Sequence, residues 1–253
     1  SVSAVMIDEM TMEYKRHTIV DKNEIGNDTV IVTLSGKLDY HGGEFVFLWL
    51  PSIGEKPFSV AKSDPLTFII KRRGAVSAAL CDLAIGDDVY LRGLYGAPVV
   101  IDPLNQSILV AGGTGIAVLP PVAKELHESG VSRIDTFVGI SDHMISGREN
   151  SVQQELEQYS NVHVIEDDSV VARVLLHITS VITEGKNCSS YIVGPKRFMR
   201  KAAEVLLDAR VKKEHIYLSL ELQTMCGIGM CGECACNDRL TCQYGTFVSY
   251  DYL

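Results

Sequence analysis

Residues 107–123 read Ser-Ile-Leu-Val-Ala-Gly-Gly-Thr-Gly-Ile-Ala-Val-Leu-Pro-Pro-Val-Ala. The run 107–111 is a short apolar strand, as expected where both faces of a parallel sheet are covered. Gly112, Gly113, Thr114 and Gly115 then form a turn, and a helix is predicted from there to about Ser129. Such a turn lets backbone amides and a helix N-terminus approach a pyrophosphate. The full G-x-G-x-x-G fingerprint is not present, because position 118 is Val. A glycine-rich turn alone is often only a tight turn, so the strand and helix around it carry the nucleotide reading.

Downstream the strand–helix alternation continues. Strands are predicted over 133–140, 162–165, 190–193 and 215–220, the last closing the sheet. Helices are predicted over 151–159, 170–182 and 195–209. The first of these carries a capping box at Ser151 and Gln154. This order implies a parallel sheet with helices on both faces. A second loop, Val193-Gly194-Pro195, would lie with the first outside the carboxyl ends of the strands, where open sheets bind ligands. Gly139-Ile140-Ser141-Asp142 offers no arginine cluster for a 2′-phosphate, a lean toward NAD over NADP.

Upstream the pattern is β. Strands are predicted over 29–35, 44–50, 66–71 and 88–93, with Val30, Val32 and Leu34 on one face of the first. Turn signals separate them, and a short helix is predicted over 75–83. The expected architecture is an antiparallel β-barrel over 1–103, an α/β parallel-sheet nucleotide domain over 104–218, and a C-terminal cysteine segment over 219–253 with little regular structure.

Five of the seven cysteines fall within that last segment. The spacing Cys226-x4-Cys231-x2-Cys234-x7-Cys242 is the plant-type [2Fe–2S] arrangement. Gly227, Gly229 and Gly232 between the ligands suit a loop wrapped closely around inorganic sulfide. A structural zinc site is the alternative, although zinc usually takes two close pairs and Cys226 and Cys242 are not close in sequence. The spacing alone leaves Cys236 open as a ligand. Cys81 and Cys188 read as small buried hydrophobes.

Composition bounds the rest. The chain has 253 residues, 46% hydrophobic and 22% charged, enough for a sizeable core. Its net charge of −9 weighs against nucleic-acid or anionic-membrane partners. No apolar run approaches the roughly 18–20 residues of a membrane-spanning helix. With no basic, apolar leader visible at residues 1–11, the expected location is cytoplasmic. No carboxylate pair or Ser/His/Asp set stands out, and His41, His127 and His163 read as ordinary residues.

Lys56-Pro57-Phe58-Ser59, and Ile69-Ile70-Lys71 followed by Gly74, Val76 and Ser77, would by composition be a turn and a surface basic run. Taken with the Gly112–Gly115 turn, these regions resemble the ferredoxin–NADP reductase superfamily, with its flavin-binding barrel and nicotinamide-binding α/β domain. Ser219-Leu220-Glu221 and Met225-Cys226-Gly227-Ile228-Gly229-Met230-Cys231 resemble, within it, the electron-transfer subunits of class 1B dihydroorotate dehydrogenases. The resemblance covers essentially the whole chain. It implies that Lys56, Pro57, Phe58 and Ser59 hold FAD, with Ser59 near N5 of the ring, and that Ile69, Ile70, Lys71, Gly74, Val76 and Ser77 hold its ribityl and pyrophosphate parts. It further implies that Gly112, Gly113, Thr114, Gly115, Gly194 and Pro195 lie along the NAD site, and that Cys226, Cys231, Cys234 and Cys242 bind the [2Fe–2S] cluster. The implied partner is an FMN-containing dihydroorotate dehydrogenase catalytic subunit, two of each chain forming a heterotetramer. Electrons would run from FMN through the cluster and FAD to NAD+. Ile228 and Met230 would pack at that interface or close over the cluster within the chain.

The chain departs from the family in three places. Lys56 replaces the usual Arg, keeping the charge and losing the bidentate fork. The interval from Cys234 to Cys242 is shorter, and Gly245-Thr246-Phe247-Val248 stands for Gly-Pro-Val-Phe. The rival readings are a flavin and iron–sulfur subunit coupled to ferredoxin or sulfur compounds, and a non-enzymatic zinc-stapled binding module.

Overall fold

The computed structural model describes residues 12–25, 28–140, 151–166, 178–182 and 187–253. Seven antiparallel strands form the first sheet: β1 (Lys15–Glu24), β2 (Thr29–Leu34), β3 (Phe45–Leu50), β4 (Gly54–Phe58), β5 (Lys62–Ser63), β6 (Leu66–Lys71) and β7 (Asp88–Tyr95). They lie in the order β4-β3-β7-β1-β2-β6-β5. The sheet curls so that Val46 and Leu48 of β3 meet Leu66 and Phe68 of β6 in one core. Helix α1 (Ala75–Asp82) caps this core with Val76 and Leu80.

Alternation predicts one buried face for β2, but every residue of the strand is buried. Val30, Val32 and Leu34 point into the barrel. Ile31, with Ile69 of β6, points outward into a second core that includes Val118, Val122 and Leu126 of the nucleotide domain. Burial of each such isoleucine stabilises by roughly 1.5–3 kcal/mol, so the two halves are joined by hydrophobic burial as well as by the chain.

The second sheet contains β8 (Gln106–Gly112), β9 (Arg133–Ile140), β10 (Asn161–Glu166), β11 (Cys188–Val193), β12 (Ile216–Ser219) and β15 (Phe247–Ser249), in the order β10-β9-β8-β11-β12-β15. The first five are parallel, and β15 runs antiparallel to β12. Strand order reverses at β8, which places a crevice between the loops that follow β8 and β11. Helices α2 (Leu119–Glu128), α3 (Ser151–Glu157) and α4 (Lys196–Asp208) pack on the sheet. No helix among the described residues is long and apolar enough to cross a membrane.

Three expectations are corrected. The strand predicted over 215–220 does not close the sheet, because β15 pairs beyond it. The cysteine segment holds regular structure: a two-residue ribbon of β13 (Ala235–Cys236) and β14 (Arg239–Leu240), helix α5 (Thr241–Tyr244), and β15. The glycine turn opens into a 3-10 helix, Gly113–Val118, and α2 begins afresh at Leu119. Pro120 and Pro121 explain the restart, since proline lacks an N–H and favours the first turn of a helix. Of the helix predicted over 170–182, residues 170–177 lie outside the described residues, as do residues 1–11, Ser141 and Asp142.

Polar contacts reinforce the junction between the halves. The Glu125 carboxylate of α2 accepts from Gly42 N at 2.8 Å, and Lys62 Nζ lies 3.2 Å from Glu155 of α3. Tyr191 Oη donates to Val100 O in the connecting segment at 2.9 Å.

Candidate functional site

A cleft of about 660 Å³ opens between the two sheets. Its barrel side is formed by residues 56–59 at the end of β4, Ile69 and Lys71 of β6, and residues 73–77 at the start of α1. Thr114, Ala117 and Val118 line it from the nucleotide side, and residues 219–224, from the end of β12 onward, complete the wall. The volume suits a large cofactor. The first turn of α1 leaves backbone N–H groups without intrahelical partners, a setting that attracts phosphate. A Cβ built on Gly74 would meet no atom within 4 Å, so the backbone there is open to a ligand. The Ser77 hydroxyl is already engaged, accepting from the backbone N–H groups of Arg73 and Gly74 at 3.0 Å each. Lys71 pairs with Asp28 at 3.3 Å, and Lys56 is exposed at the cleft rim.

Of the residues expected to touch FAD, Ile70 is displaced. It is 1% exposed and belongs to the barrel core, because alternation along β6 turns Ile69 to the cleft and Ile70 inward. Gly112, Gly113, Gly115, Gly194 and Pro195 do not line this cleft. They lie at the carboxyl ends of β8 and β11, and Thr114 links that crevice to the cleft. A Cβ on Gly115 would fall 2.9 Å from Val193 Cγ1, so glycine lets the turn seat directly on β11.

The cysteine loop packs on the outer face of β3 and β7. Phe45, Phe47, Tyr95, Cys234 and Cys242 are buried together, with Leu222, Ile228 and Leu240 against them. Ile228 therefore closes over the cysteines within the chain, while Met230 is 77% exposed. Gly227 has φ +82° and sits against two rings, where a Cβ would lie 3.0 Å from Tyr95 and 3.1 Å from Phe47.

The four expected thiols fall into two pairs. Cys226 interacts with Cys231, and its sulfur accepts from Met230 N at 3.4 Å. Burial pushes its thiol up, but the backbone N–H groups of Cys231, Ile228 and Met230 and the Cys231 side chain outweigh this and bring it down to about 6. Burial and the neighbouring Cys234 push Cys242 up to about 12. Among the described residues no three Cys, His, Asp or Glu side chains converge on a single-ion site. A mononuclear zinc site needs four ligands around one point, whereas each iron of a [2Fe–2S] cluster takes two protein ligands. Two sulfur pairs, with backbone amides directed at Cys226 and, from Gly229, at Cys242, fit the latter donor set. Cys236 belongs to neither pair; its carbonyl accepts from Tyr252 Oη at 3.1 Å.

Residues 222–224, Glu55 and Arg92 are absent from the expected site. Arg92 is 4% exposed. Its Nε and Nη2 grip the Glu55 carboxylate at 2.8 and 2.6 Å, and its Nη1 donates to Tyr95 Oη at 2.6 Å and Cys226 O at 3.0 Å. The sequence signal was an arginine among the mostly apolar residues that follow Asp88 in β7; nothing local named Glu55 or Cys226 as its partners.

A glycine turn at the switch point of a parallel sheet, a cleft against an antiparallel barrel, and a four-thiol loop define a reductase of the ferredoxin–NADP reductase type. A solved structure of an NADH-dependent reduced ferredoxin–NADP oxidoreductase, described for flavin-based electron bifurcation, superposes with a TM-score of 0.78 at 26% identity, covering 93% of this chain and 88% of that one. No protein-family model matches the chain. A Pyrococcus horikoshii protein named "probable dihydroorotate dehydrogenase B (NAD(+)), electron transfer subunit" is 30% identical over 233 residues, which span 91% of this chain and 88% of the relative. The chain belongs to the family of dihydroorotate dehydrogenase B electron-transfer subunits. The gamma subunit of sulfhydrogenase 1 from Pyrococcus furiosus is 27% identical, over 87% of this chain and 78% of that subunit.

Proposed function

We propose that this chain carries electrons between a dihydroorotate dehydrogenase catalytic subunit bearing FMN and NAD+, holding FAD in the cleft and a [2Fe–2S] cluster on Cys226, Cys231, Cys234 and Cys242. The observation that carries this reading is the thinness of the wall between the two sites. Phe45 and Leu222 line the cleft and also pack in the apolar group that buries Cys234 and Cys242.

FAD, when bound, exchanges hydride with nicotinamide and single electrons with an iron–sulfur centre. The chain's residues set the geometry for that exchange. Phe58, Ile69 and Val76 line the cleft with apolar surface on which the flavin would lie, and Ser59 would offer it a hydroxyl. Lys56, Lys71 and the first turn of α1 offer positive charge to the pyrophosphate. The crevice at Gly112, Gly113, Thr114, Gly115, Gly194 and Pro195 would take NAD(H), entering beside the flavin. Phe45, Phe47 and Ile228 shield the Cys234 and Cys242 side chains from water, while Cys231 is exposed. The exposed Met225, Met230 and Tyr244 surround the cysteine loop and would meet the catalytic subunit, with two copies of each chain in the complex.

The test uses the full chain reconstituted with iron and sulfide. It should release FAD, hold about two irons and two sulfides, and oxidise NADH with an artificial acceptor. Dihydroorotate-dependent NAD+ reduction should require the added catalytic subunit. Dihydroorotate turnover by the isolated chain, or recovery of zinc without sulfide, would refute the reading. The likeness to the sulfhydrogenase subunit favours one alternative partner, a sulfur- or hydrogen-linked subunit. Coupling to such a partner and none to dihydroorotate dehydrogenase would select it.

A further inference from the structure

We propose that Arg92, held by Glu55, is a positioning residue that tunes the reduction potential of the cluster and fixes its loop against the flavin-binding strand. The inference rests on the cluster reading above and goes beyond it, because neither residue belongs to the cofactor ligands.

Glu55 immediately precedes Lys56, at the mouth of the cleft on β4. Arg92 spans from this carboxylate to Cys226 O at 3.0 Å, with Met225 O 3.5 Å from Nη2. Its guanidinium lies 4.0 Å from the centroid of the Phe47 ring, the ring that also abuts Gly227. The guanidinium thus reaches the flavin strand, the aromatic wall and the backbone of Met225 and Cys226, and Tyr14, which donates to Glu55 at 2.7 Å, completes the surroundings of the pair. The pair is neutral overall but oriented: the cation faces the cluster loop and the carboxylate faces away. The guanidinium is almost fully buried and the Glu55 side chain is 25% exposed, so solvent screens the cation less than the carboxylate. Net charge and hydrogen bonding around the sulfurs are established levers on cluster potential.

The two members of the pair therefore have opposite signatures. Arg92→Gln removes a cation and leaves Glu55 uncompensated, which disfavours adding an electron and moves the potential down. Glu55→Gln leaves Arg92 uncompensated and moves it up. Arg92→Lys keeps the charge while losing the fork, and its potential stays near that of the unaltered chain. A merely structural tether would move both Gln variants the same way, since both break the same contact.

The experiment is a redox titration of the reconstituted full chain, followed by electron paramagnetic resonance of the reduced cluster. Opposite shifts in the two Gln variants, with Arg92→Lys near the starting value, support the proposal. Shifts of one sign, or unchanged potentials in a chain that holds its cluster, overturn it alone. A chain that assembles no cluster overturns the cofactor reading and this proposal together. Should Arg92→Gln fail to fold, the sign for Glu55→Gln decides: upward supports, zero or downward overturns.

Discussion

Cys226 and Cys242, two of the four proposed cluster ligands, sit in opposite surroundings. Three backbone amides and the Cys231 side chain hold the Cys226 thiol at about 6, while burial and Cys234 hold Cys242 at about 12. In the metal-free chain near neutral pH, Cys226 is mostly thiolate and Cys242 is almost wholly protonated. Iodoacetamide should alkylate Cys226 faster by about tenfold or more, because the thiolate is the nucleophile. The Cys226 rate should fall as pH drops through about 6, and that of Cys242 should rise only on approaching 12. Peptide mapping after timed quenching reads both; equal rates would contradict the two environments.

Among the elements, the turn between β8 and α2 is closely constrained. Gly115→Ala would press a methyl into Val193, for a loss of about 1–3 kcal/mol. The displaced turn should also raise KM for NADH several-fold with less effect on kcat. Gly113 has φ +59° and open space around it, so Gly113→Ala costs only the backbone strain, about 1–2 kcal/mol. Urea denaturation and steady-state kinetics separate the two variants. The strand–turn–helix reading of 107–129 was legible because apolar runs, glycines and periodicity are local signals. The 3-10 segment was hidden because the glycine turn and the prolines both permit a helix start, and only packing chooses where. β15 was hidden because a three-residue strand has no usable period. The cysteine spacing announced the centre, whereas Arg92 could not be assigned: Glu55 and Cys226, the partners that define its role, lie 37 and 134 positions away.

At the scale of the molecule, barrel and nucleotide domain share apolar contacts through Ile31 and Ile69 and polar ones through Gly42–Glu125 and Lys62–Glu155. Independent domains should melt separately; halves that share a core should not. Calorimetry of the FAD-loaded chain should therefore show one cooperative transition, and two resolved peaks would mean the shared core is weaker than its burial suggests. Glu125→Ala, which leaves the Gly42 amide without its acceptor, should lower stability by about 1–3 kcal/mol without splitting that transition.

The cysteine loop runs between β12 and β15, two strands of one sheet. During synthesis the thiols leave the ribosome before Phe247–Ser249 can pair with β12. Until then β12 presents an open edge and the metal-binding loop is tethered at one end only. The sheet is therefore completed only after the cysteine loop has been made, and a nascent chain stalled before residue 247 would expose unpaired strand and reactive sulfur together.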